Sequence, residues 1–199
     1  MRSMSFAEIV KGRRSIRKLT NSPEVPRAAV EDVVRNALHA PSAFNMQSGR
    51  LVVLTGANHA KLWDLVTETL RAHVPAEKFG ATQDRMNGFK GGAGTVLFFE
   101  DETTVKAMQA KSSPSYQMHF HNWSHQGSAL LQYAVWLGLT EQGLGASLQH
   151  YNPIIDDQVK AEWDVPASWT LIAQMPFGRP AETPGDRSFL PYEDVVKWH

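Results

Sequence analysis

The stretch "WSHQGSALLQYAVWLGLTEQ" (residues 123–142) decides the fold of this 199-residue chain. We predict a helix from about Trp123 to Gln142, because Gly143 directly behind it is a natural left-handed cap. Its apolar side chains surround the helix axis, so we expect burial on most sides, either in the core or against a second chain. These side chains are Leu130, Leu131, Tyr133, Ala134, Val135, Trp136, Leu137 and Leu139.

Apolar runs on both sides of this segment predict strands. "RLVVL" (50–54) and "TVLFFE" (95–100) indicate buried strands, and "WTLIAQMPFG" (169–178) indicates a third strand. "GASLQ" (145–149) predicts a short strand as well. Helical spacing of apolar residues is found over about 58–71 and about 154–163.

Two helices are predicted near the amino terminus. Ser5 and Glu8 have the spacing of a capping box, so a short helix begins there and Gly12 ends it. A second helix follows Pro26, where Val30, Val33, Val34, Ala37 and Leu38 form one apolar stripe. Because helices and strands are interspersed without strict alternation, we favour a sheet with helices on both faces and at least one antiparallel pairing.

Composition restricts the class of protein. A hydrophobic content of 42% over 199 residues suffices for one domain with a sizeable core. Twenty basic and twenty acidic side chains cancel, which argues against binding to nucleic acid or to an anionic membrane. The longest apolar stretch, at 129–139, is too short to span a bilayer, and no signal peptide is readable. The lack of cysteine fits a reducing compartment, so we expect a cytoplasmic protein.

Positive charge is concentrated in "RRSIRKL" (13–19). A solvated surface turn or a nuclear localisation patch would explain such a run. It is also suited to clamping a phosphate, since Arg13 and Arg17 lie four residues apart and the Ser15 hydroxyl adds a neutral hydrogen bond. The residues alone leave these three readings open.

A polar turn follows the second predicted helix. "APSAFNMQ" (40–47) offers Ser42, Asn45 and Gln47 as compact hydrogen-bonding groups before a predicted strand. The order of the two motifs, a basic Arg-Arg-Ser-x-Arg and then Pro-Ser-x-x-Asn-x-Gln after an intervening helix, is more specific than either motif alone.

This ordered combination resembles the nitroreductase family of FMN-dependent oxidoreductases. Three later segments resemble the fatty-acid-repression-mutant subgroup of that family: "GTVLFFED" (94–101), "GLGASLQHYNPIID" (143–156) and "PFGRPAETPGDRSFLP" (176–191). The resemblance implies an α+β fold with three layers, α/β/α, in which helices flank a mixed, mainly antiparallel sheet. It covers nearly the whole chain, so we expect a single nitroreductase-like domain over 1–199, with a tail from about 179 to 199 that runs over the surface or a partner.

The resemblance also implies a set of flavin-binding residues. The phosphate and ribityl chain of FMN are expected on Arg13, Arg14, Ser15 and Arg17, completed by Arg187 from the tail. Leu148, Gln149 and His150 match the segment that passes the flavin ring, where a backbone amide can donate to the reactive nitrogen. Lys90 lies near the position of a basic residue on the ring carbonyls. The loop that reaches the flavin of a dimer partner is matched by Pro41, Ser42, Ala43, Asn45 and Gln47.

The family resemblance implies the chemistry and assembly. NADH or NADPH would reduce bound FMN, and a nitroaromatic, quinone-like or related acceptor would then be reduced in a ping-pong cycle. No catalytic side chain is assigned, because the cofactor carries the reaction. The flavin sites would be shared in a homodimer. The alternatives are a non-catalytic flavin-binding protein with a regulatory role in lipid or redox response, and a binding module that keeps the fold without flavin.

Two further motifs resemble ligand sites. "HFHNWSH" (119–125) could in principle bind zinc or nickel, but no cysteine or adjacent carboxylate supports a metal, and we predict none. One of these histidines could face a substrate. "GGAG" (91–94) precedes a predicted strand, whereas a dinucleotide-binding fingerprint follows one, so a turn is expected there.

Overall fold

A computed structural model describes residues 4–199. The longer helices are α1 (Phe6–Gly12), α2 (Arg27–Ala37), α3 (Gly56–Arg71), α4 (Phe79–Lys90), α5 (Glu102–Lys111), α7 (Phe120–Glu141) and α8 (Asp156–Glu162), and α6 (Pro114–Gln117) and α9 (Tyr192–Val195) are single turns. The strands are β1 (Leu19–Thr20), β2 (Gly49–Thr55), β3 (Gly94–Asp101), β4 (Gly145–Ala146) and β5 (Trp169–Pro180). None of the helices in this range is both long enough and apolar enough to cross a membrane.

Strand β3 lies at the centre of the sheet. The strands are ordered β1-β5-β3-β2, β4 also pairs with β5, and all of these ladders are antiparallel. Every residue of β3 is buried, which confirms the predicted interior strand at 95–100. An isolated bridge between Ser15 and Ala146 adds a parallel pairing. The fold is therefore α+β with a mixed, mainly antiparallel sheet, as the resemblance implied.

Strand β2 is less buried than its sequence predicts. The strand itself is confirmed, but Leu54 is its one buried residue and Val53 is 39% exposed. The reason is position, because β2 lies at an edge of the sheet: within residues 4–199 it pairs with β3 on one side and has no neighbouring strand on the other. A run of four apolar residues does not reveal which strand will be at an edge.

A β-bulge in β5 redirects side chains between the two faces of the sheet. Phe98 pairs with Ala173 and Phe99 pairs with Leu171, so Ile172 is the additional residue. Ala173 consequently packs with Phe98 on one face, and Leu171 packs with Phe99 on the other, although 171 and 173 have the same parity.

Helices cover both faces of the sheet, which confirms the three-layer expectation. On one face, here called the open layer, α2 and α7 pack on Val96 and Phe98 of β3. On the other, the closed layer, α3, α4 and α8 pack on Leu97 and Phe99. Alternation of side chains along β3 directs neighbouring residues to opposite layers.

Helix α7 is the principal helix of the open layer. It begins three residues earlier than predicted, and Gly143 takes the expected left-handed conformation at its end, with φ of 70°. Gly138 allows close packing on α2, since a Cβ there would lie 2.8 Å from Val33 Cγ1. Burial is one-sided, however, because Leu130 and Tyr133 remain 47% and 41% exposed. The expected cover on most sides is thus incomplete within one chain.

Candidate functional site

The basic segment 13–17 is fixed as an extended strip beside β4. The Ile16 amide donates to the Ala146 carbonyl at 2.9 Å, and the Ile16 side chain is buried. Gly145 allows this close approach, because a Cβ there would lie 2.9 Å from Ile16 Cβ. The neighbouring arginines are therefore held on a rigid backbone rather than on a mobile turn.

The carboxy-terminal tail crosses this strip. Arg187 donates to the carbonyls of Lys11 and Arg13, at 2.8 and 3.2 Å, and Arg14 donates to the Gly185 carbonyl. Glu182 Oε1 accepts from the Arg17 amide at 2.6 Å. Strip and tail enclose a cavity of about 400 Å³, lined by Arg13, Arg14, Ser15, Arg17, Glu182, Thr183, Pro184, Gly185, Asp186 and Arg187.

Charge in this cavity, here called the arginine cavity, is unbalanced. Four guanidinium groups line it against two carboxylates. The pKa of Arg13 is lowered, first by burial and then by the charges of Arg187 and Arg14. The Arg13 guanidinium lies 4.4 Å from the ring centroid of Trp136, which gives it a cation–π contact. Clustered guanidinium groups of this kind are suited to holding an anion, and their planar donors match the geometry of a phosphate.

The polar turn at 41–47 has a strained backbone. Phe44, Asn45 and Gln47 all have positive φ, at 53°, 52° and 48°. Inside the turn, the Gln47 amide donates to Ser42 Oγ at 2.9 Å. The left-handed conformation costs free energy for a residue other than glycine, and such residues are frequent at functional sites. Strain of this kind supports a functional reading of the turn.

The turn packs against an aromatic cluster. Phe44 is 60% exposed, and its ring centroid lies 5.6 Å from that of Phe120 and 5.8 Å from that of Trp123. Tyr116 adds a fourth ring at 6.0 Å from Phe44. The turn therefore presents an uncovered aromatic surface beside the amino-terminal end of α7.

A second cavity, of about 220 Å³, lies between the turn and α7. It is lined by Glu100, which the sequence analysis did not predict as a site residue. Glu100 of β3 is 1% exposed, and burial raises its pKa to about 7. The Ser48 hydroxyl donates to Glu100 Oε2 at 2.6 Å. The cavity is lined by Leu38, Ala40, Pro41, Ser42, Gln47, Ser48, Gly49, Arg50, Glu100, Gly127 and Leu131. The one available signal was an acidic residue at the end of an otherwise apolar strand.

The segment 148–150 follows β4 and runs beside β5. The Gln149 amide donates to the Gln174 carbonyl at 2.7 Å, and Gln174 returns the bond at 2.9 Å. The Gln149 amide is thus committed to the sheet. Successive amides of an extended segment point to opposite sides, so the amides of Leu148 and His150 point away from β5. Within segment 148–150, these two amides are therefore the candidates for the predicted donor to the flavin ring.

Lys90 and the histidine-rich segment 119–125 lie outside the arginine cavity. The Lys90 ammonium is paired with both carboxylate oxygens of Asp64, at 2.6 and 2.8 Å, in the closed layer. Lys90 lines neither the arginine cavity nor the cavity at Glu100, and its place beside the flavin carbonyls stays a prediction. Among the histidines, the His121 and His125 rings lie 4.7 Å apart, and residues 4–199 contain no group of three potential metal ligands.

The geometry defines an α+β protein with an arginine-lined cavity that its own tail helps to enclose. Comparison with known proteins agrees: the nitroreductase family model matches residues 10–179, and the chain belongs to the nitroreductase family. The chain is 31% identical to the putative nitroreductase HBN1 of Saccharomyces cerevisiae, over 94% of this chain and 93% of the yeast protein. Nitroreductase FRM2 of the same yeast is 29% identical over the same shares of the two chains, which confirms the fatty-acid-repression-mutant resemblance.

A solved structure agrees with the computed one over the full length. Nitroreductase CinD from Lactococcus lactis, in complex with nicotinic acid, has a TM-score of 0.90 and 39% identity, with 98% of this chain and 100% of that chain covered. Family membership makes this protein an oxidoreductase of the nitroreductase type.

Proposed function

We propose that this protein is an FMN-dependent oxidoreductase that uses NADH or NADPH to reduce nitroaromatic, quinone-like or related acceptors in a ping-pong cycle. The observation that carries the proposal is the arginine cavity. Its guanidinium groups suit a terminal phosphate dianion. Because the chain belongs to the nitroreductase family, we assign this phosphate to flavin mononucleotide.

Each part of the cavity has a distinct task in this proposal. Arg13, Arg17 and Arg187 hold the phosphate, and Arg14 ties the tail down through the Gly185 carbonyl. The Glu182 carboxylate is occupied by backbone amides of Arg17 and Lys18, at 2.6 and 3.2 Å, so it orders the strip. The chain therefore binds, orients and electrostatically supports the cofactor.

The ring of the flavin would lie against segment 148–150. Leu148 or His150 would supply a backbone amide to its reactive nitrogen, because the Gln149 amide is committed to β5. Bound FMN would supply the hydride chemistry, taking a hydride from the nicotinamide and passing it to the acceptor. The related protein CinD is known in complex with nicotinic acid, which supports a pocket for a pyridine ring in this chain as well.

We further propose a homodimer in which the turn at 41–47 completes the flavin site of the other copy. Three exposed regions of residues 4–199 support a partner: the strained turn, the exposed side of α7 and the tail residues Phe189, Leu190 and Trp198, which are 76%, 72% and 82% exposed. A further groove of about 390 Å³ between α2 and β2 offers apolar surface to a partner and is lined by Arg27, Val30, Glu31, Val34, Arg35, Leu38, Val53 and Thr55.

Flavin content and turnover test the proposal together. The purified protein should be yellow and should release FMN on denaturation, and it should oxidise NADH or NADPH with a nitroaromatic acceptor. Parallel lines in double-reciprocal plots would identify the ping-pong order. A flavin-loaded protein without turnover would favour the regulatory alternative. A protein that takes up no added FMN would contradict the cofactor assignment itself.

A further inference from the structure

The Arg13 side chain differs from other guanidinium groups of the arginine cavity in how it is held. Arg187 donates to the carbonyls of Lys11 and Arg13, and Arg14 donates to the Gly185 carbonyl. Within residues 4–199, the Arg13 side chain makes no hydrogen bond and no ion pair. Its N–H donors are therefore not committed to any oxygen of the described chain, although Arg13 lines the cavity.

The Trp136 ring restrains this guanidinium group. The Arg13 Cζ atom lies 4.4 Å from the centroid of the ring, and Arg13 is partly buried, so the cation–π contact is partly shielded from water. Trp136 belongs to α7 and packs against the apolar core of the open layer, which makes its ring a fixed support. The ring attracts the cation without supplying an oxygen acceptor, so the contact holds the group and leaves its donors to an anion.

The backbone of Arg13 is fixed as well. Its amide donates to the Ile9 carbonyl at 2.9 Å, and its carbonyl accepts from Arg187 Nη1 at 3.2 Å. With the backbone and the guanidinium both held, the side chain has already lost much of the freedom that binding of an anion would otherwise remove. Arg13 is in this sense preorganised.

Trp136 itself contains an unpaired polar atom. Its Nε1 atom is buried and has no hydrogen-bond partner in the described part of the chain. A buried N–H group without a partner costs free energy, and a phenylalanine at this position would avoid that cost. The indole ring is the stronger partner for a cation, which gives a physical reason for a tryptophan here.

We propose that Trp136 is a positioning residue for the phosphate site: its ring holds the Arg13 guanidinium in the arginine cavity with the N–H donors free for the phosphate of FMN. The inference rests on the proposed function in one respect, which is that the anion in the cavity is the FMN phosphate. Helix α7 thereby contributes to cofactor binding through a residue that does not itself line the cavity.

The affinities of the apoprotein for FMN and riboflavin test the proposal. The two ligands differ only in the phosphate, so the ratio of their affinities reports on the phosphate site. Trp136→Leu should lower the preference for FMN over riboflavin about fivefold, because Arg13 is then unrestrained. Trp136→Phe keeps an aromatic face and should retain the wild-type preference to within about twofold. Partial unfolding of a variant weakens the apparent binding of both ligands equally and cancels in the ratio.

Trp169→Leu is the matched control. Trp169 also has a guanidinium over its ring, since the Arg50 Cζ atom lies 5.8 Å from the ring centroid, and neither residue lines the arginine cavity. This variant should keep the wild-type preference for FMN. In a protein that already carries Arg13→Ala, Trp136→Leu should not change the preference further. An unchanged preference in Trp136→Leu, or an equal fall in Trp136→Phe or Trp169→Leu, would overturn the proposal.

Inorganic pyrophosphate separates this inference from the proposed function, because it supplies the anion without a flavin. In calorimetric titrations of the apoprotein at low salt, Trp136→Leu should weaken pyrophosphate binding about fivefold and Trp169→Leu should leave it unchanged. A wild type that binds pyrophosphate but neither flavin would contradict the proposed function, and the effect of Trp136→Leu on pyrophosphate would still decide the inference. A wild type that binds none of the three ligands would contradict both.

Discussion

The two layers of the molecule differ in how completely their polar groups are paired. In the closed layer, the Trp63 indole donates to Thr95 Oγ1 at 3.0 Å, and His59 Nδ1 lies 2.9 Å from the same oxygen. His59 Nε2 lies 3.2 Å from the Lys90 carbonyl. These bonds fit one neutral tautomer, with the proton on Nε2. Asp156 Oδ1 is an exception, in the first turn of α8.

The open layer is paired incompletely. Glu100 Oε1 lacks a partner within the described chain, the charges of Arg187 and Arg14 help to lower the pKa of Arg13 after burial, and the turn at 41–47 is strained. Apolar side chains such as Leu130 also remain exposed there. Within residues 4–199, the closed layer thus pairs most of its buried polar groups internally, whereas the open layer combines an unpaired carboxyl oxygen, a strained turn and exposed apolar side chains.

The largest expected effect is on assembly. Leu130→Glu places a charge on the exposed side of α7 and should convert a homodimer of twice 22.2 kDa into a monomer, measured by light scattering. Ile154→Glu, at a 36% exposed residue beside the closed layer, is the control and should leave the dimer intact. If wild type is itself monomeric with full flavin content, the assignment of the turn at 41–47 to a partner's site is wrong.

Next is the stability of the closed layer. Thr95→Val leaves the Trp63 indole and His59 Nδ1 without their partner, which should cost about 2 to 4 kcal/mol in the free energy of unfolding. Denaturant unfolding of the apoprotein measures this loss. The FMN affinity of the folded fraction should not change, because Thr95 faces the layer away from the arginine cavity. A large loss of FMN affinity would show that the two layers are not independent.

The pH dependence of stability should have opposite signs in the two layers. Burial lowers the pKa of His59 to about 4, so its contribution is lost as pH falls from 6.5 towards 4. The pKa of Glu100 is raised from 4.5 to about 7, so its contribution is lost as pH rises through that range. In wild type, these two contributions to the pH dependence of the free energy of unfolding have opposite signs.

Substitution of Glu100 or His59 should reveal the pH dependence of stability that the other residue causes. The free energy of unfolding of Glu100→Gln should increase by up to about 3 kcal/mol as pH rises from about 4 to about 6.5. His59→Asn should show the opposite slope from about 4.5 to about 7. Urea unfolding at several pH values measures both, and identical slopes in the two variants would contradict the comparison.

The smallest expected effect concerns the arginine cavity. Arg187→Ala should weaken FMN binding about ten- to a hundredfold, which is about 1.4 to 2.7 kcal/mol, while the apoprotein loses less than about 0.5 kcal/mol. Arg179→Ala removes a guanidinium near the end of β5 that lies outside the cavity and is bonded to the Pro23 carbonyl at 3.3 Å, and it should leave FMN affinity unchanged. Equal weakening in both variants would indicate a general effect of charge.

Local signals in the sequence determined much of the fold. The capping box of Ser5 and Glu8 starts α1, Gly143 ends α7, and the apolar run at 95–100 lies in the central strand. These predictions succeeded because caps, turns and period-2 burial depend on residues close together in the chain. The order of the basic motif and the polar turn also identified the nitroreductase family.

Tertiary structure decided what depends on distant partners. Helix α4 was not predicted, since its glycines and polar residues give a weak pattern and only packing buries Phe79, Met86 and Phe89. The edge position of β2, the pairing of Lys90 with Asp64 and the commitment of the Gln149 amide to β5 likewise involve residues far apart in sequence. Glu100 is the sharpest case: the sequence shows an acidic residue, and only the fold surrounds it so closely that it favours keeping its proton near neutral pH, because desolvation depends on everything packed around a group.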